Sequence, residues 1–193
     1  MRSQVTTKRG DAGETTALSG DSFPKSHPIM ECVGTVDELR AHTALARLRI
    51  LEERPSDNDR LADFLLWLLH TYFLIGSACS DPLNRRPEYR KRDIGPVELA
   101  RLEAEQQWIE EQTPLPHSFI VAASNTVSAQ VDIACTVARR LERNLVRLKE
   151  SVPEFAAPDV LVFVNRLSDF LYMLARKLEH PTHETVKYEM LDT

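Results

Sequence analysis

An all-α fold is expected from this sequence, on three observations. Apolar residues recur at alternating spacings of three and four in five separate segments. Proline-rich or polar breaks fall between those segments. No stretch carries the two-residue alternation of a strand. Five helices with heptad-type seams make an up-down bundle. At 193 residues, one domain with a full core is expected. Its organisation reads as an irregular arm over 1–27, a helical bundle over 28–180 and a tail over 181–193.

The arm is polar and contains Thr6-Thr-Lys-Arg-Gly-Asp-Ala-Gly-Glu-Thr-Thr16, then Leu18, Gly20, Asp21 and Lys25. Two glycines three apart let successive backbone N–H groups converge on an anion. Hydroxyls of Thr7, Thr15 and Thr16 and ammoniums of Lys8 and Lys25 can complete such a cradle. The arm is not a P-loop, because GxxxxGK[ST] is absent and no strand precedes it.

Pro28 opens the first helix at the favoured first-turn position. Cys32, Val36, Leu39, Thr43, Ala46 and Ile50 carry its seam to about Glu53. Asp37 and Glu38 form an acidic pair, with Arg40 one turn beyond Asp37, which reads plainly as a surface ion pair. Pro55-Ser-Asp-Asn58 is a turn and N-cap signal for a second helix over about 58–80. Its seam is Leu61, Leu65, Leu68, Tyr72, Ile75 and Cys79. The run 61–80 has membrane-spanning length, but Asp63 and His70 interrupt it, and a buried bundle helix is the expectation.

Residues 81–95 hold five basic residues and two prolines and read as a mobile basic loop. Pro96 starts a shorter third helix to about Gln112, with Leu99, Leu102, Gln106 and Ile109 inward and an acidic outer face. After the connector Thr113–Ser118 and the segment from Phe119, a fourth helix covers about 124–150. Val127, Val131, Ala134, Ala138, Leu141, Leu145 and Leu148 make its seam. A loop with Pro153 precedes the fifth helix, about 158–179, whose seam runs from Val160 to Leu178. Asn165, Asp169, Tyr172 and Arg176 line the face beside it. The tail beyond Pro181 has no periodicity and is expected to order only on binding.

The fourth helix carries Arg139, Arg140, Glu142 and Arg143 within little more than one turn. Three guanidiniums so close repel one another unless an anion sits among them, and guanidinium forks suit phosphate oxygens. A solvated charged face is the plain alternative.

The net charge of −5 and pI near 5.7 leave no global basic field for nucleic acid or anionic lipid, so any anion site must be local. Cys32, Cys79 and Cys135 are odd in number and widely spaced, which points to reduced thiols rather than a disulfide or zinc framework. The first ten residues lack the apolar run of a secretory signal, and a cytoplasmic location is expected. A di-metal site of the ferritin kind needs Glu-x-x-His on two helices, and none occurs.

Three blocks together resemble one family, the PduO-type ATP:cob(I)alamin (corrinoid) adenosyltransferases. They are Thr7-Lys-Arg-Gly-Asp-Ala-Gly-Glu-Thr15 with Lys25 and Gly34-Thr-Val-Asp-Glu-Leu39; Thr136-Val-Ala-Arg-Arg-Leu-Glu-Arg143; and Val164-Asn-Arg-Leu-Ser-Asp-Phe-Leu171 with Ala175-Arg176. The resemblance implies a five-helix bundle with ferritin-like, cobalamin adenosyltransferase-like packing, assembled as a homotrimer with ATP and corrinoid at each subunit interface. It implies that reduced cobalt attacks the 5′ carbon of ATP, displacing triphosphate and leaving adenosylcobalamin, with Mg²⁺ carried on the phosphates. The implied ATP-binding residues are Thr7, Lys8, Arg9, Gly10, Thr15, Thr16, Lys25, Arg139, Arg140, Glu142, Arg143 and Asn165. Among the catalytic residues it implies Arg139, Asp11 as organiser of the arm, and Phe119 as cover for the lower face of cobalt.

Asp37, Phe119, Cys135 and Asp169 fall on the implied corrinoid and interface side, which departs from the family pattern. Val121-Ala-Ala-Ser124 stands for Leu-Pro-Gly-Gly, Cys135 for an arginine that pairs with the Asp37 equivalent, and Asp132 for a histidine. A working divergent enzyme and a non-catalytic paralogue that binds ATP or corrinoid as sensor or carrier both remain open on these residues.

Overall fold

The computed structural model describes residues 6, 8–53, 57–179, 181 and 183–191. Its helices are α1 (Pro28–Glu53), α2 (Asn58–Ser80), α3 (Pro96–Glu110), α4 (Thr126–Ser151) and α5 (Pro158–Glu179). The seam positions expected of α1, α2 and α4 are all buried, because a three/four spacing keeps side chains on one stripe. In α5 the seam is buried from Val160 to Leu174, and Leu178 is half-buried at its end.

Helix α4 lies between α1 and α5, α2 packs on α1, and α3 lies along α5. Aromatic rings close the bundle between α2 and α5: Phe64 stands 4.9 Å from Phe170 and Trp67 stands 6.3 Å from Phe163. Two interior polar pairs join helices, as burial demands. Thr43 bonds Tyr72 at 3.2 Å, and Asn144 Nδ2 donates to Thr35 Oγ1 at 3.0 Å. By length and composition α2 could cross a membrane, but half of its apolar window is buried against the other helices.

Five local expectations need correction. The arm is not wholly irregular: β1 (Glu14–Thr16) pairs antiparallel with β2 (Ser22–Pro24), with Thr15 opposite Phe23. Strands of three residues are too short to show alternation, and Gly20 at φ 87° makes the reversal possible. The basic loop is tied down rather than mobile. Buried Asp81 accepts from the backbone N–H groups of Arg85 and Arg86 at 2.9 and 2.8 Å. The buried Arg90 guanidinium donates to the Asp81 and Ala156 carbonyls, each at 3.1 Å.

On α3 the buried face includes Glu98 and Glu105, while Leu99 and Gln106 are only half-buried. Glu105 is bidentate with Arg60 of α2, whose guanidinium lies 3.7 Å from the Trp108 ring centre. Glu98 pairs with Arg92 and accepts the Gly95 N–H at 3.0 Å. A partner from α2 and a local one just before α3 turn these two acidic positions inward. The fourth correction is Arg176, which is buried at 2 % exposure rather than lining an open face.

The tail, fifth, is not patternless. Ile120 bridges Thr185, the Val121 N–H donates to Glu184 O at 2.7 Å, and the Val186 N–H donates to Phe119 O at 2.9 Å. The expected turn at Pro55-Ser56 lies outside the described residues, and Asp57 adopts φ 64° with no side-chain cap on α2.

Candidate active site

The arm folds back on itself so that its glycines and lysine meet. The Lys25 N–H donates to Gly13 O at 2.8 Å, and the Gly13 N–H donates to Gly10 O at 3.2 Å. Lys8 and Gly13 hold φ of 59° and 86°, the left-handed turns that let the chain reverse here. A Cβ on Gly10 would stand 3.1 Å from Lys25 Nζ, so the absent side chain is what lets the ammonium settle over the backbone. A cleft of 310 Å³ beside it is lined by Arg9, Gly10, Glu14, Thr15, Thr16 and Ser22. Asp11 is exposed at the tip of this turn. Thr7 lies outside the described residues. The hairpin is fastened to the bundle by the Leu18 N–H donating to Ser80 Oγ at 2.8 Å and by Arg85 pairing with Asp21 at 2.8 Å.

Arg139, Arg140 and Arg143 are exposed on α4. Their mutual repulsion is relieved in part: Arg140 forms an ion pair with Glu38 of α1, and Arg143 Nη1 donates to the Arg139 carbonyl at 3.1 Å. Glu142 is held by Asn165 of α5, whose Nδ2 donates to it at 2.9 Å, and Arg166 donates to Asn165 Oδ1 at 2.7 Å. Among the described residues, Arg139 and Arg143 have no carboxylate partner within ion-pair distance, so two forks remain for an outside anion. No hydrogen bond or ion pair joins Arg9, Gly10, Thr15, Thr16 or Lys25 to this cluster within the described residues of one chain.

The residues expected on the corrinoid and interface side are spread over the segment before α4, the exposed face of α1 and the α4–α5 contact. Phe119 is 79 % exposed. Asp37 pairs with Arg40 at 2.9 Å, and the Arg40 guanidinium lies 4.6 Å from the Phe73 ring centre. Cys135 is buried, with its Sγ donating to Ser168 O at 3.3 Å, while Asp169 is exposed one position on. Four residues along a helix is 400°, and the resulting 40° offset turns Cys135 into the seam while Arg139 stays outside.

Burial pushes the Cys135 thiol up, against the pull of Arg139. Behind it, Asp132 pairs with Arg176 at 2.6 Å, and Arg176 Nε stands 3.0 Å from Glu179 Oε2. Burial raises the Asp132 carboxyl above its ordinary value even with Arg176 opposing. Burial lowers the Arg176 guanidinium, but Asp132 outweighs it and the net shift is upward.

Residues 5–178 match the sequence profile of the family described as cobalamin adenosyltransferase. The chain belongs to the cobalamin adenosyltransferase family. Among its relatives, the corrinoid adenosyltransferase PduO of Citrobacter freundii is 34 % identical over 93 % of this chain and 51 % of its own length. The human corrinoid adenosyltransferase MMAB is 31 % identical over 90 % of this chain and 68 % of its own. The chain therefore spans about half the length of the PduO relatives it matches. A variant PduO-type ATP:corrinoid adenosyltransferase from Lactobacillus reuteri, complexed with cobalamin and ATP, superposes with a TM-score of 0.82 at 25 % identity, covering 95 % of this chain and 99 % of that one.

Within this cobalamin adenosyltransferase family member, two expected clusters are local and separate: the arm with Gly10, Thr15, Thr16 and Lys25, and the α4–α5 group with Arg139, Arg143, Glu142 and Asn165. Reading the sequence alone missed Glu38 as the partner of Arg140, 102 residues away, and the buried set of Arg176, Glu179 and His183. No short-range signal could have found the first. The second had one cue: a lone arginine one position inside an apolar seam at Ala175-Arg176.

Proposed function

We propose that this chain transfers the 5′-deoxyadenosyl group of ATP to a reduced corrinoid, releasing triphosphate and forming an adenosylcorrinoid such as adenosylcobalamin. The observation that carries the proposal is the arm, where Lys25 stands over Gly10 beside a cleft lined by Arg9, Thr15 and Thr16. Such a cradle of an ammonium, a guanidinium, hydroxyls and turned backbone suits a polyphosphate.

In the reaction the electron pair of cobalt(I) forms a bond to C5′ of ATP. The C5′–O bond breaks, and triphosphate leaves with the electron pair of that broken bond. No proton moves, so no general base is needed. What the protein must supply is fixed positive charge where the triphosphate develops its own. Lys25, Arg139 and Arg143 take that part in this proposal. Glu142, locked by Asn165, keeps the arginine turn from collapsing on itself. Asp11 organises the arm, and Thr7, Lys8 and Arg9 extend it. Mg²⁺ enters on the triphosphate oxygens; among the described residues no cluster of three His, Cys, Asp or Glu offers it a site of its own. Well-oriented reactants gain up to about 7–11 kcal/mol, so positioning alone supplies most of the rate.

Among the described residues no hydrogen bond or ion pair joins the arm to the arginine turn within one chain, and a homotrimer that brings one subunit's arm to its neighbour's α4 completes the site. Phe119, standing free at the start of α4, would meet the corrinoid. The cytoplasm is the expected setting. A second reading, a non-catalytic paralogue that holds ATP or corrinoid, is favoured by Cys135 turning inward and by Asp37 pairing with Arg40 of its own chain.

Anaerobic incubation with cob(I)alamin and ATP, following the cobalt spectrum and triphosphate release, separates the two readings. Binding without adenosylcobalamin overturns the enzyme reading. Lys25→Ala and Arg139→Ala should each weaken ATP at least tenfold, since a hydrogen bond to a charged group contributes about 1.5–3 kcal/mol. Unchanged ATP affinity in both, by calorimetry, would remove the site assignment, and a monomer by light scattering would remove the interfacial one.

A further inference from the structure

Phe119 is 79 % exposed, yet the backbone that carries it is held from two sides. On one side the C-terminal segment runs antiparallel to it, with Ile120 bridged to Thr185 and one N–H from each strand donated to the other. On the other, the Ser124 N–H donates to Glu179 Oε1 at 3.1 Å, and Asn125 Nδ2 donates to Leu178 O at 2.9 Å. Glu179 is the joint between the two. Its second carboxylate oxygen stands 3.4 Å from His183 Nδ1, where the tail begins its run along Phe119, and it is anchored from behind by Arg176. Between these fastenings Ala123 adopts φ 64°, a left-handed conformation that costs an alanine free energy and persists only where its surroundings over-determine it.

We propose that the tail segment 183–186 is a positioning strap for Phe119. His183 docks it on Glu179, and the Val186 N–H fixes the Phe119 carbonyl, which sets where the ring stands. The inference rests on the reading that Phe119 faces a corrinoid. Neither His183 nor Val186 touches substrate in this scheme; both act through Phe119. The described residues of the tail contribute nothing to the buried apolar core of α1–α5, so releasing the strap leaves the bundle folded. The strap therefore acts on placement and not on folding.

The test uses the full chain and two variants. Val186→Pro removes the N–H that reaches Phe119 O, and His183→Ala removes the dock. Amide hydrogen exchange at Val121, whose N–H reaches the tail, reads the strap directly without corrinoid. Both variants should lose at least tenfold protection there, and His183→Gln, which keeps a donor, should regain it. Turnover with cob(I)alamin should fall about tenfold, with ATP affinity within twofold of wild type. In a Phe119→Ala background Val186→Pro should have no further effect, because a residue that acts through the ring has nothing left to place.

Unchanged Val121 protection overturns the strap, and so does unchanged turnover once protection is lost. An equal further loss in the Phe119→Ala background overturns its action through the ring. A wild-type chain that makes no adenosylcorrinoid overturns the parent reading instead, and the strap is then decided by Val121 protection alone.

Discussion

Replacing Arg176 by methionine perturbs the most heavily loaded polar group in the bundle. Its side chain is 2 % exposed and faces two carboxylates, Asp132 at 2.6 Å and Glu179 at 3.0 Å. Methionine fills a similar space, so the packing loss is small and the cost is electrostatic. The Asp132 side chain is 19 % exposed and can recover some hydration, whereas that of Glu179 is 1 % exposed and cannot. Breaking a buried pair from one side costs about 3–5 kcal/mol.

A loss of about 3–5 kcal/mol at pH 7 is therefore expected, or roughly 6–20 °C in Tm for a chain of this size. Without Arg176 to oppose it, burial pushes the Asp132 carboxyl further up, so proton uptake offsets more of the deficit as the pH falls. Adding Glu179→Gln should recover most of the loss, since removing both ends of a buried pair is often near neutral. Urea unfolding followed by circular dichroism at the two pH values measures all three. A deficit under about 1 kcal/mol at pH 7, or one that does not change with pH, would refute the reasoning.

Three further outcomes are expected. Ala123→Gly should stabilise by up to about 1 kcal/mol, because the left-handed penalty of about 1–2 kcal/mol exceeds glycine's entropy cost of about 0.5–1 kcal/mol; a lower urea midpoint would contradict the strain. Burial raises the Glu98 carboxyl, but Arg92 and two backbone N–H groups outweigh it and hold its pKa below the ordinary 4.5. Its contribution is thus present above pH 4.5 and lost as the pH falls through the lower folded value, because the unfolded chain binds the proton first. Glu98→Gln should flatten that acid limb of the stability curve, and an unchanged limb would mean other carboxylates carry it. Cys135→Arg should cost about 1–3 kcal/mol by overpacking a position that is 4 % exposed; an unchanged unfolding midpoint would show that the new side chain escapes to the surface of α4.

The five helices and the seams of α1, α2, α4 and most of α5 were legible in the sequence because each is a local pattern: a three/four period, a proline at the first turn, a polar break. The crowding of glycines, hydroxyls and cations in the arm was legible for the same reason, since they fall in one short stretch. The tertiary structure decided everything that depended on a distant partner. Glu105 sits inward with Arg60 of α2, 45 residues away, to meet it. Cys135 and Arg139 parted company across a 40° offset that matters only once α5 lies against α4. The tail acquired a strand partner that no periodicity announces, because a single bridge needs one neighbour and not a repeat. Local sequence determines which face of most elements is apolar, while ion pairs such as Arg60–Glu105 and Arg176–Asp132 join residues more than forty positions apart and exist only after the helices have packed.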